Sequence, residues 1–128
     1  MRKKNSVSDF VSHRNELIIK NFRESLARQS QISIRRAFLD AAEAPAPRFW
    51  VSEERATEVI AKMLAGEEVT KTMYKEKAEM YMEIYRRVKR LRELHPCVPL
   101  CRLVFRVVNS EAPRSYISWH RVLQIVRK

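Results

Sequence analysis

Ala46-Pro47-Arg48-Phe49-Trp50-Val51-Ser52 recurs as Ala112-Pro113-Arg114-Ser115-Tyr116-Ile117-Ser118, at an offset of 66 residues. When residues 32–62 are aligned with residues 98–128 at this offset, seven positions are identical, whereas random pairing gives about two. The identical pairs are Arg36/Arg102, Ala46/Ala112, Pro47/Pro113, Arg48/Arg114, Ser52/Ser118, Arg55/Arg121 and Lys62/Lys128. The chain therefore contains two copies of one unit.

We call segments 46–52 and 112–118 the straps. Their prolines hold the preceding residues in extended conformations, and Ser52 and Ser118 are favoured N-cap residues for a following helix. The spacing of apolar residues predicts two helices before each strap and one after it. A single glycine among 128 residues argues against a turn-rich β fold. The sequence therefore predicts an all-α fold, a tandem repeat of two three-helix units packed as one compact domain.

The repeat also sets the expected boundaries. Residues 1–9 form a predicted disordered basic tail, 10–66 the first three-helix repeat, 67–72 a connector and 73–128 the second three-helix repeat. The layout resembles helix-turn-helix units, in which a longer helix precedes two short ones. It departs from them because about eight residues separate the short helices, where a typical turn has three or four.

Charge favours nucleic acid as the partner. The chain has a formal net charge of +11, and a field of this sign attracts phosphate-rich molecules. The second copy is the more basic, since residues 67–128 hold fourteen Lys and Arg against seven Asp and Glu. The sequence predicts a DNA-binding protein, with DNA favoured over RNA; a merely solvated basic surface is the alternative.

Two segments of the second copy carry the predicted contacts. Residues 86–92 contain five cations in seven positions, which suits phosphate binding. The helix after Ser118 offers side chains that pair with base edges, and Arg114 lies just before its N-terminus, where backbone N–H groups favour phosphate. The strap arginines have the alternative role of pairing with glutamates of the next helix. The predicted nucleic-acid-binding residues are Arg86, Arg87, Lys89, Arg90, Arg114, Trp119, His120, Arg121, Gln124, Arg127 and Lys128.

Two other binding functions stay open. One is a protein-interaction or assembly module within a nucleoprotein or mobile-element complex, in which the acidic helix after Ser52 docks a protein partner or a second copy of the chain. The other is RNA binding, because nothing in the sequence separates A-form from B-form recognition.

Other classes of function find little support. There is no glycine-rich phosphate loop, nucleophile elbow or paired-carboxylate motif, so we do not expect an enzyme. His95, Cys97 and Cys101 have the spacing of three zinc ligands but lack an evident fourth, and they have no counterparts in the first copy, so no metal or other cofactor is expected. No apolar segment suits a signal peptide or a membrane span, which predicts a cytoplasmic protein without membrane contact.

Three segments resemble a family of small basic bacterial proteins from Bacteroides-like genomes. They are Pro47-Arg-Phe-Trp-Val-Ser-Glu-Glu-Arg-Ala56, Glu83-Ile-Tyr-Arg-Arg-Val88 and the stretch from Leu103 to Pro113. The resemblance covers most of residues 32–117 and implies a bacterial source. It implies no activity and no site residues.

Overall fold

The computed structural model of the protein describes the backbone of residues 7–127 and the side-chain surroundings from residue 10 onward. This part of the chain contains six helices and a short 3-10 turn, with no strand beyond an isolated bridge, so the all-α prediction is confirmed. The helices are α1 (Val7–Arg28), α2 (Ile34–Glu43), α3 (Glu53–Leu64), α4 (Lys75–Leu94), α5 (Leu100–Val108) and α6 (Trp119–Arg127), with the 3-10 turn at Val69–Thr72. Residues 7–9 of the expected tail belong to α1, and residues 1–6 lie outside the described part.

Serine side chains begin three of these helices. In each case the serine Oγ accepts a hydrogen bond from the backbone N–H three positions later, which satisfies one of the amides that the first turn leaves without a partner. The Oγ···N distances are 3.2 Å for Ser33 and Arg36, 3.1 Å for Ser52 and Arg55, and 3.2 Å for Ser118 and Arg121. The predicted caps at Ser52 and Ser118 are therefore confirmed.

The helices pack in two units that do not coincide with the two sequence copies. α3, α4 and α5 form one unit, which spans residues 47–111 and which we call the contiguous unit. α1, α2 and α6 form the other, which comprises the described residues up to Ala46 and from Ala112 onward and which we call the discontinuous unit. Each unit thus combines the first two helices of one copy with the last helix of the other.

The expected tandem layout, with each copy folded as its own three-helix unit, is therefore not confirmed. Nine residues separate Glu43 from Glu53, and an extended connection of that length reaches up to about 30 Å. A helix on such a strap is not obliged to fold back onto the helices that precede it. For the same reason the structure does not join α2 and α3 as a helix-turn-helix pair, since they belong to different units.

The two straps begin at equivalent positions that pair with each other. Ala46 and Ala112 form an antiparallel bridge in the discontinuous unit, with N···O distances of 3.0 and 2.8 Å. Both alanines are buried, so the two hydrogen bonds satisfy backbone groups that water does not reach.

In each unit, all three helices contribute side chains to an apolar core. In the discontinuous unit, Ile18 of α1 and Phe38 of α2 pack with Val122 and Ile125 of α6, and the rings of Phe22 and Phe38 stack at 4.9 Å between centroids. The buried helical residues of the contiguous unit are Ala56, Val59, Ile60, Met80, Tyr81, Ile84, Val88, Leu103, Val104, Val107 and Val108. The exchanged helix is part of the core in both units.

Candidate nucleic-acid interface

A groove with a volume of about 640 Å³ lies between α4 and α5 of the contiguous unit. Four of its lining residues are arginines, and a single carboxylate accompanies them. The lining residues are Glu83, Arg86, Arg87, Arg90, Leu91, Arg106, Val107 and Ser110. We call this the basic groove.

Helical spacing places these side chains together. Residues 83, 86, 87, 90 and 91 recur at intervals of three and four, so they share one face of α4. The neighbouring face of α4 is buried through Ile84 and Val88, which fixes the rotation of the helix. Arg106 and Val107 then complete the groove from α5. The second helix of the groove thus adds a cation that lies outside the basic run at 86–92.

Glu83 compensates part of the positive charge. Its carboxylate accepts hydrogen bonds from Arg86 Nη2 and from Arg87 Nε, the latter at 2.8 Å. Burial alone would raise the pKa of Glu83, but the hydrogen bonds and charges of the two arginines outweigh it and hold the pKa below its ordinary value. The basic run therefore has a partner one turn upstream.

Arg87 is a structural anchor as well as a groove residue. Its Nη1 donates to the backbone carbonyl of Glu111 at 2.8 Å and to Ser110 Oγ at 3.3 Å. Its guanidinium also lies 5.1 Å from the centroid of the Phe49 ring. Arg87 also pairs with Glu83, and its contacts connect α4 to the strap and to the segment after α5. Few of its N–H donors are therefore left for a ligand.

Arg90 and Arg106 have no such partners. Both side chains are exposed, and neither makes a hydrogen bond or an ion pair with any residue between 10 and 127. One comes from α4 and the other from α5, so the groove holds an uncompensated guanidinium from each of its two helices. A guanidinium binds phosphate through paired N–H donors.

The other predicted cations of α4 lie outside the groove. Lys89 is exposed, and its Nζ lies 5.7 Å from the centroid of the Tyr85 ring. Arg92 is exposed near the end of the helix. The structure thus brings Arg86, Arg87 and Arg90 together, but not Lys89.

The predicted residues of α6 belong to the discontinuous unit. His120, Arg121, Gln124 and Arg127 are exposed, and Arg121 Nη1 donates to Gln124 Oε1 at 2.9 Å. Arg14 of α1 lies nearby: burial lowers its pKa, and the positive charge of Arg121 lowers it further. The outer face of α6 is therefore a second basic surface, separate in packing from the basic groove.

Three predicted residues at or beyond the ends of α6 differ in their surroundings. Trp119 packs against the core of the discontinuous unit, and its ring stacks with Phe38 at 6.4 Å between centroids. Arg114 is exposed, with its guanidinium 5.8 Å from the centroid of the Tyr116 ring. Lys128 lies outside the described residues.

Arg48, the counterpart of Arg114, is turned toward its own strap. Its Nε donates to the carbonyl of Phe49 at 2.8 Å and its Nη2 to that of Val51 at 2.6 Å. Burial lowers its pKa, while the charge of Glu53 acts in the opposite direction. The two strap arginines therefore have different surroundings despite their equivalent positions.

Cys97 and Cys101 are exposed free thiols. Among the described residues, no three His, Cys, Asp or Glu side chains come together as a metal site. Within the same part of the chain, no helix combines the length and the apolar character that crossing a membrane requires.

Sequence reasoning missed Arg106, Ser110 and Glu83 as groove residues. Arg106 follows Arg102 by four positions on an otherwise apolar helix, and that pair of cations on one exposed face was the available signal. Comparisons with known proteins find no matching protein family, curated protein or solved structure. The resemblance to small basic bacterial proteins therefore stays a prediction.

Proposed function

We propose that the protein binds nucleic acid, with DNA as the preferred form, through phosphate contacts in the basic groove. The observation that carries the proposal is the presence of Arg90 and Arg106 in one groove without partners among residues 10–127. Two uncompensated guanidinium groups on facing helices suit successive phosphates of a backbone. The net charge of +11 adds long-range attraction.

The other groove residues have supporting roles in this proposal. Arg86 is largely exposed and shares its charge with Glu83, so it is available to a phosphate at the cost of one surface ion pair. Arg87 holds the groove walls in place. The exposed face of α6, with Arg121 and Gln124, is a further contact surface that would read base edges.

The test compares two double variants with equal loss of charge. Arg90→Gln/Arg106→Gln removes the unpaired groove arginines, and Arg92→Gln/Arg102→Gln removes one exposed arginine from each of the same helices outside the groove lining. Binding to a labelled DNA duplex is measured by fluorescence anisotropy over a range of salt concentrations. For the groove variant we expect the slope of log K against log salt to become less negative by about 2, since each lost phosphate contact contributes about 0.9.

The control variant should keep the slope of the unmodified protein. Equal effects of the two double variants would rule out the basic groove as the contact surface. Salt-independent binding by the unmodified protein would overturn the proposal as a whole. An RNA duplex of the same sequence, used as a competitor, decides between the two nucleic acids.

An interaction module is a second candidate, favoured by large apolar side chains exposed in the contiguous unit. Leu94 at the end of α4, Val98 in the following loop and Phe105 of α5 are exposed, Phe105 to 52%, and exposed large apolar groups are available for contact with a partner. On this reading the chain forms a concentration-dependent oligomer in light scattering. Phe105→Ser would then abolish the oligomer and leave DNA affinity unchanged.

A further inference from the structure

A second concave surface lies on the other side of α4. It has a volume of about 420 Å³ and is enclosed by α3, the 3-10 turn and the N-terminal end of α4. Its polar lining consists of Arg55, Lys62, Lys77, Thr72 and Tyr74, and its remaining lining residues are apolar. We call it the α3–α4 pocket. It shares no lining residue with the basic groove.

The charge in this pocket is not balanced by the protein. Arg55 pairs with Glu58 at 3.2 Å, but Lys62 and Lys77 form no ion pair with any residue between 10 and 127. No carboxylate lines the pocket. Two positive charges of the pocket are therefore left uncompensated.

The start of α4 adds hydrogen-bond donors. Tyr74 occupies the N-cap position of this 20-residue helix but makes no capping hydrogen bond with its side chain. Met73, Tyr74 and Lys77 all line the pocket, so the first turn of α4 opens toward it. The free amides and the positive end of the helix dipole favour an anion at this place.

We propose that the α3–α4 pocket binds a phosphate monoester. Two uncompensated lysines match the charge of nearly −2 that a monoester carries above its second pKa of about 6. A phosphodiester carries a single negative charge and would leave one lysine uncompensated. The three equivalent oxygens of a monoester also suit donors that arrive from α3 and from the start of α4.

Two kinds of molecule carry a phosphate monoester that would suit the pocket. One is a small phosphorylated molecule, and the other is the terminal phosphate of a nucleic-acid strand. Tyr74 is 86% exposed, and its ring gives an aromatic group attached to the phosphate a surface on which to stack. The inference does not depend on the proposed function, because the residues that carry the two sites differ.

The experiment uses methyl phosphate and dimethyl phosphate as probes of the full chain at pH 8 and constant ionic strength. Binding is followed by the amide shifts of residues 74–77 in nuclear magnetic resonance spectra. We expect saturable shifts with methyl phosphate and none with dimethyl phosphate. Lys62→Gln/Lys77→Gln should weaken methyl phosphate binding by about tenfold or more, since each lysine supplies a charge-assisted contact.

Two controls separate this result from a general loss of charge and from failure of the proposed function. Lys71→Gln/Lys89→Gln removes two exposed lysines that do not line the pocket and should leave binding within about twofold. Arg90→Gln/Arg106→Gln should bind methyl phosphate like the unmodified protein. Unsaturable shifts, equal loss in the two lysine variants, or equal binding of dimethyl phosphate would overturn the proposal.

Oligonucleotides with and without a 5′-phosphate then distinguish the sources. A gain in affinity from the 5′-phosphate that disappears in Lys62→Gln/Lys77→Gln supports the pocket and assigns it to strand ends. Saturable binding of methyl phosphate without such a gain supports the pocket and assigns it to small phosphorylated molecules.

Discussion

Arg86, Arg87 and Arg90 lie within five positions of α4, and each has different surroundings. Arg87 reaches a carboxylate, a hydroxyl, a backbone carbonyl and an aromatic ring. Arg86 has the carboxylate alone, and Arg90 has no described partner. The same residue type therefore supports the fold at one position and leaves charge available to a ligand at another.

This difference makes Arg87 a test of stability at the level of one side chain. We expect Arg87→Gln to lower the free energy of unfolding by about 2 kcal/mol, because it removes the charge-assisted hydrogen bond to Glu83, two further hydrogen bonds and the contact with the Phe49 ring. Arg86→Gln loses an exposed ion pair and should cost less than about 1 kcal/mol. Chemical denaturation followed by circular dichroism measures both values. An unchanged midpoint for Arg87→Gln would show that its contacts do not stabilise the fold.

Sequence reasoning identifies the basic run but cannot rank its members. Whether an arginine is used by the fold depends on where the strap and the end of α5 lie, and the local pattern carries no such information. Arg48 and Arg114 illustrate this, since they are equivalent in the repeat, yet Arg48 donates to its own strap while Arg114 is exposed near Tyr116. Tyr116 itself has a φ of 58°, a left-handed conformation that the sequence of the strap does not predict.

The sequence predicts where the helices begin and end, because the interactions that start and stop a helix involve residues close together in the chain. The expected last helix of each copy begins after a serine cap, and α3 and α6 begin at Glu53 and Trp119 as the caps indicate. Gly66 adopts a φ of 93° just beyond α3, which an L-residue rarely adopts and which suits the end of a helix. Caps and breakers act within a few residues, so the sequence contains them in full.

The choice of packing partner is different, because the two candidate helices present nearly the same apolar face. Val59 and Ile60 of α3 occupy the repeat positions of Ile125 and Val126 of α6. Both α3 and α6 offer a similar apolar surface to α1 and α2 and to α4 and α5. Hydrophobic periodicity therefore cannot predict which pair of helices each one packs against. The length and extended conformation of the straps permit both arrangements.

Shortening one buried side chain at equivalent positions of α3 and α6 tests which helices each of them packs against. Ile125 and Val59 are both buried, and Ile125→Ala should destabilise its surroundings by about 2 to 4 kcal/mol. We expect Ile125→Ala to speed amide hydrogen exchange in α1 and α2, and Val59→Ala to speed it in α4 and α5. The opposite assignment would mean that each sequence copy folds on its own.

For the whole molecule, the exchange makes the two halves of the sequence depend on each other. A fragment of residues 1–66 contains α1 and α2 without α6, and a fragment of residues 67–128 contains α4 and α5 without α3. Neither fragment contains all three helices that form one unit in the structure.

Separate expression of the two fragments tests this dependence. We expect each fragment alone to show weak helicity and no cooperative thermal transition, since a short chain without a full core is marginal. An equimolar mixture should recover helicity and elute as a one-to-one complex in size-exclusion chromatography. Cooperative unfolding of an isolated fragment would argue against the exchanged arrangement.

The division into a contiguous and a discontinuous unit also sets an order during protein synthesis. The contiguous unit is complete once Glu111 has left the ribosome, whereas α1 and α2 must wait for α6. At typical elongation rates the 75 residues between α2 and α6 take about 4 to 15 s to make. During that interval Ile18 and Phe38 lack the α6 side chains that cover them. The nascent chain therefore exposes apolar side chains to which chaperones bind.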